Sequence, residues 1–348
     1  MSIFNLRYFK IKRCGYYTRA QSGRNHYENI PATLEHLKQW AKNKTIEETG
    51  IECEENPNTS FLIDIEHQGD FWVLILWNKT DNGASNEIIS IDMSSKFGQA
   101  DSKILTSKGK TVFGYASYIL VCPEKRFYAT ITPDHSLCSG REQFDAYIKA
   151  FLDIDPEYAE YDHTSDLFSN DNSILERTKI GFNLPVLLDG TPQPRFNSEV
   201  KRSQSEKALI IKNFNRISQI KTTYFMRVSK QQYKSFLQKI SSQLFGNTDL
   251  FTPTETIKIN STISTSFSQQ SDLIEWIEDW EATSARTDDC GFKLLGDEKT
   301  YWLRGNIIRT PVELPTLKRK NGIYPASEIL SMISNHKDRI FNDFNITR

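Results

Sequence analysis

Seven consecutive apolar residues, Phe71-Trp72-Val73-Leu74-Ile75-Leu76-Trp77, constrain the fold more than any other feature of this chain. The run is far short of the roughly 20 residues that a membrane helix needs, and its aromatic and branched content favours a strand. Phe61 to Glu66 has the same character, and His67-Gln68-Gly69-Asp70 between them forms a short turn, so the two segments predict a hairpin. A second turn, Thr80-Asp81-Asn82-Gly83, leads into a strand from Glu87 to Met93. Tyr115 to Cys122 and Phe127 to Thr132 predict another hairpin around Pro123-Glu124-Lys125-Arg126, and Ile3 to Lys12 is strand-like. Pro31 to Lys44 reads as a helix, with Pro at its start and Leu34, Leu37, Trp40 and Ala41 on one face. Ser139 with Glu142 offers a capping box for a helix from Gly140 to Leu152.

At 348 residues with 38% apolar content, the chain exceeds the usual size of one hydrophobic core. The acidic stretch from Asp153 to Asn172 lacks apolar periodicity, and it suggests a division into an N-terminal domain, 1–152, a linker or loop, 153–180, and a C-terminal domain, 181–348. The second half predicts short strands at Phe182 to Leu188, Lys207 to Asn213 and Thr222 to Val228, then a basic amphipathic helix from Lys230 to Phe245. A helix from Gln269 to Glu281 follows, in which Trp276 and Trp280 read as a core face. Next come a hairpin, Phe292 to Leu295 with Tyr301 to Arg309, and a last helix from Pro325 to Phe344. The fold class expected is α+β, two domains with mixed or antiparallel sheets and packed helices.

Charge is sorted along the chain although its net value is only -1. From Phe196 to Lys239 the basic residues are Lys201, Arg202, Lys207, Lys212, Arg216, Lys221, Arg227, Lys230, Lys234 and Lys239, against Glu199 and Glu206 alone, with Phe214, Tyr224, Phe225, Tyr233 and Phe236 interleaved. Arg7, Lys10, Lys12, Arg13, Arg19 and Arg24 make a second cluster before the first acid, Glu28, and Lys318-Arg319-Lys320 a third. Such segments suit a polyanion, because each phosphate contact releases counterions whatever the base sequence. The nucleic-acid contacts expected are therefore Arg7, Lys10, Lys12, Arg13, Lys201, Arg202, Lys207, Lys212, Arg216, Lys221, Arg227, Lys230 and Lys234, with double-stranded DNA as the partner. The acidic stretch from Asp153 to Asp171 could occupy that basic surface when DNA is absent. An ordinary solvated face, or a face that receives an acidic protein, remains an alternative.

Asp189 with Glu199-Val200-Lys201 imitates the pattern in which two carboxylates hold Mg²⁺ and a Lys positions the attacking water, which leaves a metal-dependent nuclease open. Gly190 to Asn197, with two prolines, reads as a poor strand for such a site. The chain has no phosphate-binding loop, dinucleotide fingerprint, nucleophile elbow or zinc-protease motif, so no catalytic residue, metal or cofactor is assigned. Cys14, Cys53, Cys122, Cys138 and Cys290 are scattered and odd in number, which suggests reduced packing thiols, and the chain lacks a signal-peptide pattern at Met1-Ser2-Ile3-Phe4-Asn5. The cytoplasm is the expected compartment.

The order of elements from Phe71-Trp72-Val73-Leu74-Ile75-Leu76-Trp77 through Asn78-Lys79-Thr80-Asp81 to Phe113-Gly114-Tyr115-Ala116-Ser117-Tyr118-Ile119-Leu120-Val121 and the helix near Phe144 resembles the RexA-like phage-exclusion proteins. That family is related in topology to the RdgC-type DNA-binding proteins. The resemblance covers less than half of the chain, and it implies a homodimeric, sequence-tolerant double-stranded DNA binder of a prophage or antiviral defence locus, working with a membrane-protein partner. It transfers no catalytic residue.

Overall fold

The computed structural model describes residues 3–19, 23–53, 56–79, 89–92, 96, 102–104, 111–133, 140–161, 179–185, 189–227, 256–284, 288–314, 317 and 322–345. Two compact units emerge: Met1–Lys201 with Arg309–Asn345, and Arg202–Ile308. The chain runs through β1 (Ile3–Thr18), β2 (Asn25–Glu28), α1 (Ile30–Ala41), β3 (Gly50–Cys53), β4 (Asn56–Gln68), β5 (Phe71–Lys79), β6 (Ile89–Asp92), β7 (Ser102–Ile104), β8 (Thr111–Cys122), β9 (Phe127–Pro133) and α2 (Arg141–Ile154). It then forms β10 (Ala159–Tyr161), β11 (Lys179–Phe182) and β12 (Pro192–Val200). The second unit holds α3 (Lys207–Lys212), β13 (Ile217–Arg227), β14 (Thr256–Ser264), α4 (Gln270–Thr283), β15 (Asp289–Leu294) and β16 (Thr300–Trp302). The chain returns to the first unit with β17 (Arg309–Glu313), α5 (Ala326–Ser334) and α6 (Lys337–Asn345). The α+β class expected from sequence is the class observed.

Among the described residues, eleven strands of the first unit form one antiparallel sheet, whose main path is β12-β1-β9-β8-β5-β4-β3. β1 occupies both of its edges: β9 and β2 lie along one, while β17 and then β12 share the other. Gly15 lets β2 approach, since a Cβ there would stand 2.3 Å from the Tyr27 carbonyl oxygen. The apolar run of β5 follows from helices on both faces. Trp72, Leu74 and Leu76 join the core under α1 and α2, with Phe9, Ile119, Tyr128, Phe144 and Phe151. Neighbouring strand residues point to opposite faces, and Phe71 meets Phe341 of α6 at 5.4 Å while Phe127 stacks on Phe344 at 4.2 Å. The β8 and β9 hairpin is as expected, and α1 starts on Asn29, whose Oδ1 accepts from the Ala32 N–H, with Pro31 in its first turn.

In the second unit the sheet order is β14-β13-β15-β16. Leu273, Ile277 and Trp280 form the buried stripe of α4 and pack on Ile217, Ile220, Phe292 and Leu294, and Trp276 meets Phe292 edge-on, so the two tryptophans are a core face.

Several expectations are corrected. The unit boundary falls at Lys201/Arg202 instead of within 153–180, because β12 pairs with β1 and because β17 brings the end of the chain back to β1. The described part of the acidic stretch belongs to the first unit: Asp155 is buried against His36, and β10 pairs with β11. Lys207 to Asn213 is helical, with Ile210 inward and Leu209 exposed, where a strand would bury alternate residues. The prolines 192 and 194 lie in a strand after all. Among the described residues β12 has a strand partner on one side only, and two prolines two residues apart turn their missing donors to the same, other edge. The last helix is two, separated by the tight turn in which Asn335 and His336 donate to the carbonyls of Met332 and Ile333. Arg309–Glu313 joins the first unit's sheet and is no part of the β15 and β16 hairpin. α2 takes Gly140 as its N-cap, and Ser139, the Thr80 to Gly83 turn and the helix from Lys230 to Phe245 lie outside the described residues.

Asp64 on β4 supplies a pH-dependent term. Burial, then Glu66, raises its carboxyl from 3.8 to about 6, although the Ala326 N–H at the start of α5 donates to it. The folded state therefore holds this proton more tightly than the unfolded state does, and the Asp64 contribution falls as pH rises from about 4 to about 6. Asp64→Asn should remove that slope and raise stability at pH 7 by up to about 3 kcal/mol, read from denaturant unfolding at several pH values.

Candidate nucleic-acid interface

The pairing of β1 with β12 decides which cations meet. Lys10 lies opposite Glu199, Arg13 opposite Asn197 and Gly15 opposite Arg195, with a bulge at Lys12 that keeps Lys10 and Arg13 on the same face. Phe196, whose side chain is buried in the core beneath α2, alternates with Arg195 and Asn197 and fixes their outward direction. Lys201 continues β12, its N–H donating to the Tyr8 carbonyl at 2.8 Å, and its ammonium stands 4.8 Å from the centre of the Phe344 ring. Burial and the nearby Lys10 lower the Lys201 ammonium below its ordinary range. Lys10, Lys12, Arg13, Arg195 and Lys201 thus line one strip of the first unit.

Both neighbouring carboxylates are engaged: Glu199 takes Lys12 at 2.7 Å, and Glu28 takes Arg126 at 2.7 Å. Lys10 and Arg13 have no ion pair among the described residues, and Arg13 instead covers the Tyr17 ring at 5.2 Å. Extended ammonium stems on a strand face can follow a phosphate backbone as mobile point charges, without reading bases.

The other sequence-predicted cations divide. Arg7 lies on the opposite face from Lys10, over the Phe9 ring at 5.4 Å, where Arg141 also sits at 4.8 Å. In the second unit Arg202 pairs with Asp289, Lys207 with Glu281 at 2.8 Å and Arg216 with Asp297 at 2.9 Å. Glu206, one of two acids in the basic segment, is held by Lys299 at 2.6 Å. Lys212 and Lys221 have no ion pair among the described residues. Lys230, Lys234, Lys239 and Lys318-Arg319-Lys320 lie outside them, as does the side chain of Arg227. The basic segment is thus divided between the two units, since Lys201 belongs to one and Arg202 to Lys221 to the other.

The structure does not bring the nuclease residues together. Asp189 precedes β12 and Glu199 stands near its far end, about 23 Å along a strand that rises roughly 3.3 Å per residue, while one metal ion needs both carboxylates within about 2.5 Å. Among the described residues no group of three His, Cys, Asp or Glu side chains could hold a metal. The hydroxyls of Tyr128 and Ser198 both donate to Asp145 at 2.6 Å, a closed link from β9 and β12 to α2 rather than an open site. Cys14, Cys122 and Cys290 are free, and burial pushes the Cys14 thiol up to about 12 and that of Cys122 up to about 11, which suits packing.

Arg195 was missed in the sequence because its segment looked like a poor strand; the alternation of Arg195, Asn197 and Glu199 with Phe196, Ser198 and Val200 is the signal that locates it. Comparison with protein-family models, with curated proteins and with solved structures finds no match.

The ion pairs predict a sharp contrast. Arg202→Ala leaves the largely buried Asp289 carboxylate without its partner and should destabilise the protein by on the order of 3 kcal/mol, whereas Lys207→Ala, at a pair open to water, should cost under about 1 kcal/mol. Denaturant midpoints of the two variants measure the difference.

Proposed function

We propose that this chain is a sequence-tolerant, non-catalytic double-stranded DNA-binding protein of a phage-exclusion or related antiviral defence system. The observation that supports the reading best is the strip on β1 and β12, where burial and the nearby Lys10 lower the Lys201 ammonium and the adjacent Glu199 is occupied by Lys12. Like charges so placed are relieved by a polyanion, and the relief is independent of base sequence. The setting follows from the resemblance of the first half to RexA-like proteins: a cytoplasmic homodimer acting with a membrane-protein partner. Among the described residues no helix is long and apolar enough to cross a membrane.

The test is binding to unrelated duplexes across a salt series. Affinity should be the same for different sequences and fall steeply with salt, and Lys10→Ala/Lys201→Ala should make the slope of log K against log salt shallower by about 1.8, two phosphate contacts at about 0.9 each. Sequence-dependent binding, or an unchanged slope in that variant, would overturn the proposal.

A further inference from the structure

The second unit carries a polar sheet face that the duplex-binding strip does not use. Phe292 and Cys290 of β15 point into the core beneath α4, so Gly291 and Lys293 point the other way. Register then sets two cross-strand rows on that outer face, Thr262, Lys221, Gly291 and Trp302 in one, and Ser264, Gln219, Lys293 and Thr300 in the next. Trp302 covers Gly291 closely: a Cβ on that glycine would stand 2.8 Å from the indole Cε3 and 2.9 Å from Cδ2. The indole can lie against the sheet because residue 291 has no side chain, and Trp302 stays partly exposed. A third row, Asn260, Thr223 and Asp289, contains a carboxylate that is ion-paired with Arg202. The face therefore offers an aromatic platform, two lysines with no ion pair among the described residues, a set of hydroxyls and amides, and no unneutralised acid in these rows.

We infer that this face binds single-stranded nucleic acid, with an unpaired base stacked on Trp302 and the flanking phosphates met by Lys221 and Lys293. Charge complementarity points to a polyanion, and the platform selects the single strand, because a base inside a duplex is already stacked on both sides and cannot reach an indole. The inference extends the proposed nucleic-acid function to a second surface and does not depend on Lys10 or Lys201.

The experiment measures binding of end-labelled oligo(dT) and oligo(U), each of about 20 nucleotides, in parallel with a duplex. Lys221→Ala/Lys293→Ala should weaken single-strand binding about tenfold or more and make its salt slope shallower by about 1.4, with duplex affinity unchanged. Trp302→Leu should cost a further loss of about tenfold. Lys10→Ala/Lys201→Ala should show the reverse pattern, so failure of the duplex reading leaves a separate signature. Binding of either oligonucleotide in this manner supports the face. A bromodeoxyuridine oligonucleotide crosslinked to the wild-type protein should modify the peptide that carries Trp302, a readout that needs no variant to fold. No binding of either oligonucleotide at low salt, unchanged affinity in both variants, or crosslinking confined to other peptides would overturn the inference.

Discussion

The first unit depends on one strand. β1 pairs along its whole 16-residue length, with β9 and β2 on one edge and β17 and β12 on the other, so segments from opposite ends of the chain close on a single ladder. Tyr8 marks the junction: its hydroxyl donates to Thr310 at 2.9 Å across 302 residues of sequence, and its carbonyl accepts from Lys201. Burial drives the Tyr8 phenol far above its ordinary value, so at any physiological pH it remains a neutral donor in this position. Among the described residues, β1 is the strand partner of both β12 and β17.

That ladder also explains why the cations lie where they do. A sheet buried on both faces has few places for charge, and β1 escapes only beyond the cover of α6, at Lys10, Lys12 and Arg13. β12 adds Arg195 there and delivers Lys201 at the border of α6. In the second unit the pattern differs, for Arg202, Lys207 and Arg216 pair with acids from 281–297 and one strand face keeps Lys221 and Lys293. The two units thus differ in surface chemistry, a row of lysine and arginine cations on one and an aromatic platform on the other.

Much of the local architecture was legible in the sequence. The β4–β5 and β8–β9 hairpins, the Pro31 start of α1 and the tryptophan stripe of α4 follow from local spacing and turn chemistry. What local windows could not show is pairing over long distances. The prolines of β12 argue against a strand until its position at an edge is known, and the basic segment looks uncompensated until Glu281, Asp289 and Asp297 arrive from another part of the fold. Lys207–Lys212 misleads for another reason: a short apolar run with branched residues fits strand and helix equally, and the N–H groups of Ile210 and Asn213, donating to the carbonyls of Glu206 and Leu209, make it a helix.

If the duplex meets the β1 and β12 strip, Lys207 and Lys299 remain in their ion pairs. Acylation of lysine amines, mapped by mass spectrometry with and without duplex DNA, tests this directly. Duplex should protect Lys10, Lys12 and Lys201 and leave Lys207 and Lys299 as reactive as before. Protection of Lys207 and Lys299 with none at Lys10 or Lys201 would contradict it.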